Sequence, residues 1–73
     1  MTTLTDDQRR RHAEFQQLFS KMPGKKNVDR MHVTAMVTKL SIGTLRQYRM
    51  AEPPRVPSEQ ALELMRQFLG VAA

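Results

Sequence analysis

The sequence predicts an all-α protein, a bundle of four to five helices, and three observations predict it. Apolar side chains recur at i, i+3, i+4 and i+7 in two runs, Phe15, Leu18, Phe19, Met22 and Val33, Met36, Val37, Leu40, which is the spacing of one helix face. A third run, Ala61, Leu62, Leu64, Met65, Phe68 and Leu69, fills an arc of roughly 160° at about 100° per residue. Pro23-Gly24 and Pro53-Pro54 stand between the runs, and no apolar–polar alternation suggests a strand. Seventy-three residues form a single domain, 1–73, whose core is small enough for oligomerisation to add stability.

Thr5-Asp6-Asp7-Gln8 fits a capping box, so the first helix starts there, and Pro23-Gly24 ends it. After the basic loop Lys25-Lys26, Asn27 is expected to cap a second helix. Its inward side is read as Val33, Met36, Val37 and Leu40, with Ala35 as a small contact residue. Ser41 caps a short third helix from about Ile42 to Met50, in which Leu45 and Tyr48, three apart, turn into the core. Pro53-Pro54 enforces its end, and the link as far as Pro57 is expected to be stiff and extended. Pro57-Ser58-Glu59 opens a fourth helix, about 58–69, which Gly70 stops.

The net charge of +5 is unevenly spread. Residues 1–20 carry three Arg against Asp6, Asp7 and Glu14, and residues 56–73 carry Arg66 against Glu59 and Glu63. The middle, 21–55, holds eight basic side chains (Lys21, Lys25, Lys26, Arg30, Lys39, Arg46, Arg49, Arg55) against Asp29 and Glu52, a net of +6. An excess gathered around one short helix is the electrostatic footprint that phosphates require. The third helix adds the chemistry of base recognition. Arg46 and Gln47 have paired donors and acceptors that match guanine and adenine edges, Ile42 suits a thymine methyl, and Gly43 lets a backbone approach closely.

The run Ala35-Met36-Val37-Thr38-Lys39-Leu40-Ser41-Ile42-Gly43-Thr44-Leu45-Arg46-Gln47-Tyr48 resembles the helix-turn-helix of the Cro and phage-repressor (XRE-like) superfamily. There a small Ala, a turn, an apolar residue, Ser, Thr, an aliphatic residue and an aromatic recur in this order. Pro57-Ser58-Glu59-Gln60-Ala61-Leu62 through Phe68-Leu69-Gly70-Val71 resembles the family's following helix, so the likeness covers about 28–71, with the motif at about 29–50. Leu40-Ser41, Leu45-Arg46, Tyr48, the Pro-containing link and Ala61-Leu62-Glu63 are also similar to the small anti-CRISPR-associated autorepressors of phages. Two positions depart from the family pattern. Lys39 stands where the turn usually has Gly, at a cost on the order of 1 kcal/mol if it is held left-handed. Val33 and Val37 carry the apolar phase that the family puts at the equivalents of Thr34 and Thr38, which implies a rotated second helix or a turn longer by one residue.

The resemblance implies a DNA-binding transcriptional regulator, a dimeric repressor from a phage or other mobile element, engaging a palindromic operator in double-stranded DNA through two copies of the third helix. Its base-reading surface maps onto Ile42, Gly43, Arg46 and Gln47. Lys25, Lys26, Lys39, Thr44, Arg49 and Arg55 are candidate phosphate contacts. A homodimer is expected to use part of the set Leu62, Leu64, Phe68, Leu69 and Val71, the rest staying in the monomer core. The reading from another class is a small helical inhibitor or adaptor that turns the same basic face to an acidic protein.

No enzyme, cofactor, metal site or small-molecule ligand is expected. The chain has no Gly-rich phosphate loop, no paired-acid site and no nucleophile with a base partner. His12 and His32 stand 20 apart without a second ligand near either, and the six Met read as core or interface filler. Arg9-Arg10-Arg11, offset by Asp6, Asp7 and Glu14, reads as a solvated helix face. The absence of cysteine fits a reducing cytoplasm, and no apolar run approaches the roughly 18 residues that a membrane span needs.

Overall fold

The computed structural model describes residues 4–71, in which four helices and no strands are found. Helix α1 spans Asp6–Ser20, α2 Asn27–Thr38, α3 Ile42–Tyr48 and α4 Glu59–Leu69. Helix α4 packs on α1 and α2, while α2 also packs on α1 and α3. The core between them is Phe15, Leu18, Phe19 and Met22 from the first segment, Met31 from α2, Leu45 and Tyr48 from α3, and Leu62 and Met65 from α4.

Local chemistry explains where the helices begin. At Thr5 the hydroxyl accepts from the Gln8 N–H (3.1 Å) and the Gln8 side chain accepts from the Thr5 N–H (2.9 Å), so two otherwise orphaned donors are satisfied reciprocally. Ser41 caps α3 by accepting from the Thr44 N–H, and Ser58 caps α4 by accepting from the Ala61 N–H, each at 3.2 Å. The expectation that Asn27 caps α2 is not met: Asn27 is the first helical residue, and Lys26 holds the cap position. There the Asp29 carboxylate reaches back to the Lys26 N–H at 3.3 Å, and the Asn27 side chain accepts from Arg30 instead. Gly24, with φ +147°, lets the chain pass under α2, because a Cβ there would stand 2.9 Å from the Arg30 nitrogen. Gly70 closes α4 in a left-handed conformation, with Val71 N–H donating to the Arg66 carbonyl at 2.9 Å.

The inward face of α2 differs from the expected one. Met31, Thr34 and Thr38 are buried, whereas Met36 is 79% exposed and Val33 and Val37 are half-buried flanks. The cost of burying two threonines is small here because each hydroxyl donates to the carbonyl four residues earlier, Thr34 to Arg30 and Thr38 to Thr34, both at 2.7 Å. The helix therefore needs no rotation to bring positions 34 and 38 inward. In the turn that follows, Lys39 has a positive φ, at +60°, and Leu40 and Ser41 complete the passage to α3.

The link between α3 and α4 is not the extended strut that its prolines suggested. It bends at residues 50–52 and 54–55, and Pro53 and Pro57 are fully buried. The Arg11 guanidinium donates to the Pro57 carbonyl at 2.9 Å, which ties this link to α1.

Candidate nucleic-acid interface

Helix α3 is two turns long, and its faces are sharply divided. Leu45 has no exposed surface and Tyr48 stacks edge-on to Phe15, with ring centroids 5.6 Å apart. Gly43, Arg46 and Gln47 are exposed, and the side chains of Arg46 and Gln47 make no hydrogen bond among the described residues. A Cβ built on Gly43 meets nothing within 4 Å, so neither core nor neighbouring helix requires a glycine there. Ile42 is half-buried and packs on the core, so its remaining surface is narrower than its place in the motif suggested. With Arg46 it lines a groove of about 350 Å³ whose other wall is Asn27, Val28, Met31 and His32 of α2.

The candidate phosphate contacts fall into three situations. Lys25, Lys26, Lys39 and Arg55 are exposed, at the start of α2, in the α2–α3 turn and in the Pro-containing link. Thr44 is half-buried, and its hydroxyl lies 2.9 Å from the Ser41 hydroxyl, inside the cap of α3. Arg49 is half-buried, its guanidinium 4.3 Å from the Phe19 ring centroid, and its Nε is buried without a hydrogen-bond partner among the described residues. This arginine is stacked on α1 rather than free in solvent, which sequence spacing gave no means to see.

Two of the three N-terminal arginines, Arg10 and Arg11, are engaged elsewhere. Arg10 pairs with Asp7, Glu14 and Glu59, and Arg11 with Asp7. Arg66 grips Glu14 with two bonds of 2.6 and 2.7 Å and also reaches Glu63 at 3.0 Å. The Arg66 guanidinium, outweighing desolvation, holds the Glu14 carboxyl below its ordinary value, and Glu14 in turn keeps Arg66 protonated. Four acidic side chains, Asp7, Glu14, Glu59 and Glu63, are thus bound up with arginines between α1 and α4. Their charge is compensated locally, while the exposed Lys and Arg of the middle segment have no such partners among the described salt bridges.

Two polar residues of α1 that the sequence did not single out for recognition meet the end of α3. His12 Nε2 lies 3.0 Å from the Met50 carbonyl oxygen, and the Gln16 side-chain nitrogen lies 3.3 Å from the Tyr48 carbonyl oxygen. Their i, i+4 spacing beside Phe15 and Phe19 is the sole signal of this in the sequence.

The candidate interface set on α4 divides cleanly. Leu62 is fully buried and belongs to the monomer core. Leu64 and Leu69 are half-buried, while Phe68 and Val71 are 50% and 37% exposed. Among the described residues, no helix is long and apolar enough to cross a membrane. Comparison with protein-family models, curated proteins and solved structures finds no match to this chain.

Proposed function

We propose that the protein is a sequence-specific DNA-binding regulator of the helix-turn-helix type, acting as a homodimer that represses transcription by occupying a promoter. The observation that supports this most is the outer face of α3, where Gly43, Arg46 and Gln47 stand exposed on a capped two-turn helix whose other side is locked into the core. Arg46 and Gln47 are free to bond base edges bidentately, and the bare backbone at Gly43 permits close approach to a groove wall. Exposed Lys25, Lys26, Lys39 and Arg55 supply charge for phosphates, which position the helix without reading sequence. The work is done by occupancy. Half-sites about one helical turn apart would be engaged by symmetry-related copies of α3. The likeness to phage repressors adds the origin to this reading, a phage or other mobile element, and a cytoplasmic site of action.

A mobility-shift assay at two salt concentrations, on duplexes enriched from a randomised pool, tests it. Enrichment of an inverted repeat, bound with a steep loss of affinity at higher salt, is the expected result. No binding to any duplex at either salt would overturn the reading in favour of a protein-binding inhibitor.

A further inference from the structure

We propose that His12 and Gln16 are positioning residues for DNA recognition: from α1 they clasp the carbonyl end of α3 and fix how it presents Arg46 and Gln47. The proposal rests on the DNA-binding reading of α3 and adds residues to it that touch no DNA.

The last carbonyls of a helix have no partner within the helix, and a helix of two turns is too short to hold its own geometry. In α3 the Arg49 and Met50 N–H groups take up the carbonyls of Leu45, Arg46 and Gln47, which leaves the Tyr48 carbonyl, and that of Met50 just past the helix, to donors from outside. A carbonyl oxygen only accepts, so His12 donates from Nε2 to Met50, and Gln16 donates from its amide nitrogen to Tyr48; the two nitrogens also lie 3.3 Å apart, and since both are donors no hydrogen bond joins them. Both donors stand on the α1 face that also carries Phe15 and Phe19, at i, i+3, i+4 and i+7. Phe15 meets the Tyr48 ring and Phe19 the Arg49 guanidinium, so one face of α1 holds three consecutive residues of α3 and its exit.

The two kinds of contact do different things. Apolar contact is non-directional and leaves the helix free to pivot about Tyr48. Hydrogen bonds weaken steeply with angle, so the pair from His12 and Gln16 restrains rotation. The Met50 side chain is half exposed and supplies little apolar anchorage of its own. Met50 lies two residues past the end of α3 and its N–H donates to the Gln47 carbonyl at 3.2 Å, so displacement of the exit is passed to the turn that carries Arg46 and Gln47. Bidentate base contacts tolerate little displacement, whereas phosphate contacts through flexible Lys side chains tolerate more.

The test uses the full chain with two probes, a duplex enriched by the wild type from a randomised pool and a random-sequence duplex of equal length. His12→Leu, Gln16→Leu and their combination remove the donors while keeping bulk; His12→Gln restores an amide donor near the position of the imidazole nitrogen. The double variant should lose roughly 2- to 10-fold in preference for the enriched duplex, about the worth of one or two hydrogen bonds. Its affinity for the random duplex, salt slope and helical content should stay at wild-type levels, and the Met50 amide should exchange faster with solvent. His12→Gln should recover the preference. Unchanged preference in every variant overturns the clasp, and so does a parallel loss on both duplexes that tracks a lower melting temperature. A wild-type protein that prefers no duplex overturns the DNA-binding reading itself, an outcome distinct from wild-type preference left intact by the variants.

Discussion

The Arg49 guanidinium lies 4.3 Å from the centroid of the Phe19 ring, bridging the end of α3 to α1. A planar, weakly hydrated cation suits this place, since it stacks on the ring face with its Nε withdrawn from water. Arg49 therefore has a structural role besides any contact with phosphate. Arg49→Ala should lower stability by about 1 kcal/mol in denaturant melts and weaken binding to all duplexes alike, because a phosphate contact reads no sequence. Arg49→Lys should keep most of the DNA affinity while losing stability. A changed sequence preference in either variant would contradict this assignment.

Gly43 offers a cleaner separation of folding from binding. Its missing Cβ faces open space inside a helix, so Gly43→Ala should stabilise the protein by roughly 0.5–1 kcal/mol. Larger side chains, such as Gly43→Leu, should also fold, yet bind duplex DNA much more weakly because they stand between helix and groove. Thermal melts and mobility shifts on the same samples check both halves. A Leu variant that binds as tightly as the wild type would move the DNA surface elsewhere.

The starts of helices and the burial of two positions differ in how much the sequence reveals. Thr5, Ser41 and Ser58 cap through neighbours three residues away, a local pattern visible in the chain itself, and the Gly70 stop is equally local. The phase of α2 was not visible. Counting apolar side chains favours Val33, Met36 and Val37, but buried Thr34 and Thr38 satisfy their hydroxyls on their own helix, which a hydrophobicity pattern cannot register. Likewise the exposed Arg46 and Gln47 follow from helical spacing alone. The contacts of His12, Gln16 and Arg49 join residues about 30 to 40 apart, and only the packing of α1 on the rest of the bundle brings them together.

On α4, Leu62 lies in the core and Phe68 faces outward, where the proposed two-fold contact would use it. Leu62 is fully buried, so Leu62→Glu should unfold the protein. Phe68 is half exposed, so Phe68→Glu should keep the helical signal while reducing the sedimenting mass from twice the chain to once at micromolar concentration. DNA affinity should fall with it, since one half-site provides part of the binding energy. A Phe68→Glu protein that still sediments as a dimer would place the two-fold contact on another face.

Acid should weaken the α1–α4 tie before it affects α3. The Arg66 guanidinium holds the Glu14 carboxyl below its ordinary value of 4.5. Because the folded value is the lower one, the stability from this pair is fully present above the unfolded value and is lost as pH falls through the folded one. Glu14→Gln should therefore cost about 1–3 kcal/mol at neutral pH, and the gap to wild type should narrow as pH drops below about 4.5. A gap that stays constant down to pH 2 in a melting series would show that the pair contributes no such linkage.

The proposal that α3 reads DNA is tested most directly by Arg46→Ala, measured on the duplex that the wild type enriches and on a random duplex of equal length. Arg46 is exposed and unbonded among the described residues, so its removal leaves the fold untouched and isolates recognition. The loss should be about 1–3 kcal/mol on the enriched duplex and far smaller on the random one, with preference relaxed at one base position. Equal losses on both duplexes, or none on either, would contradict the claim that this helix reads DNA.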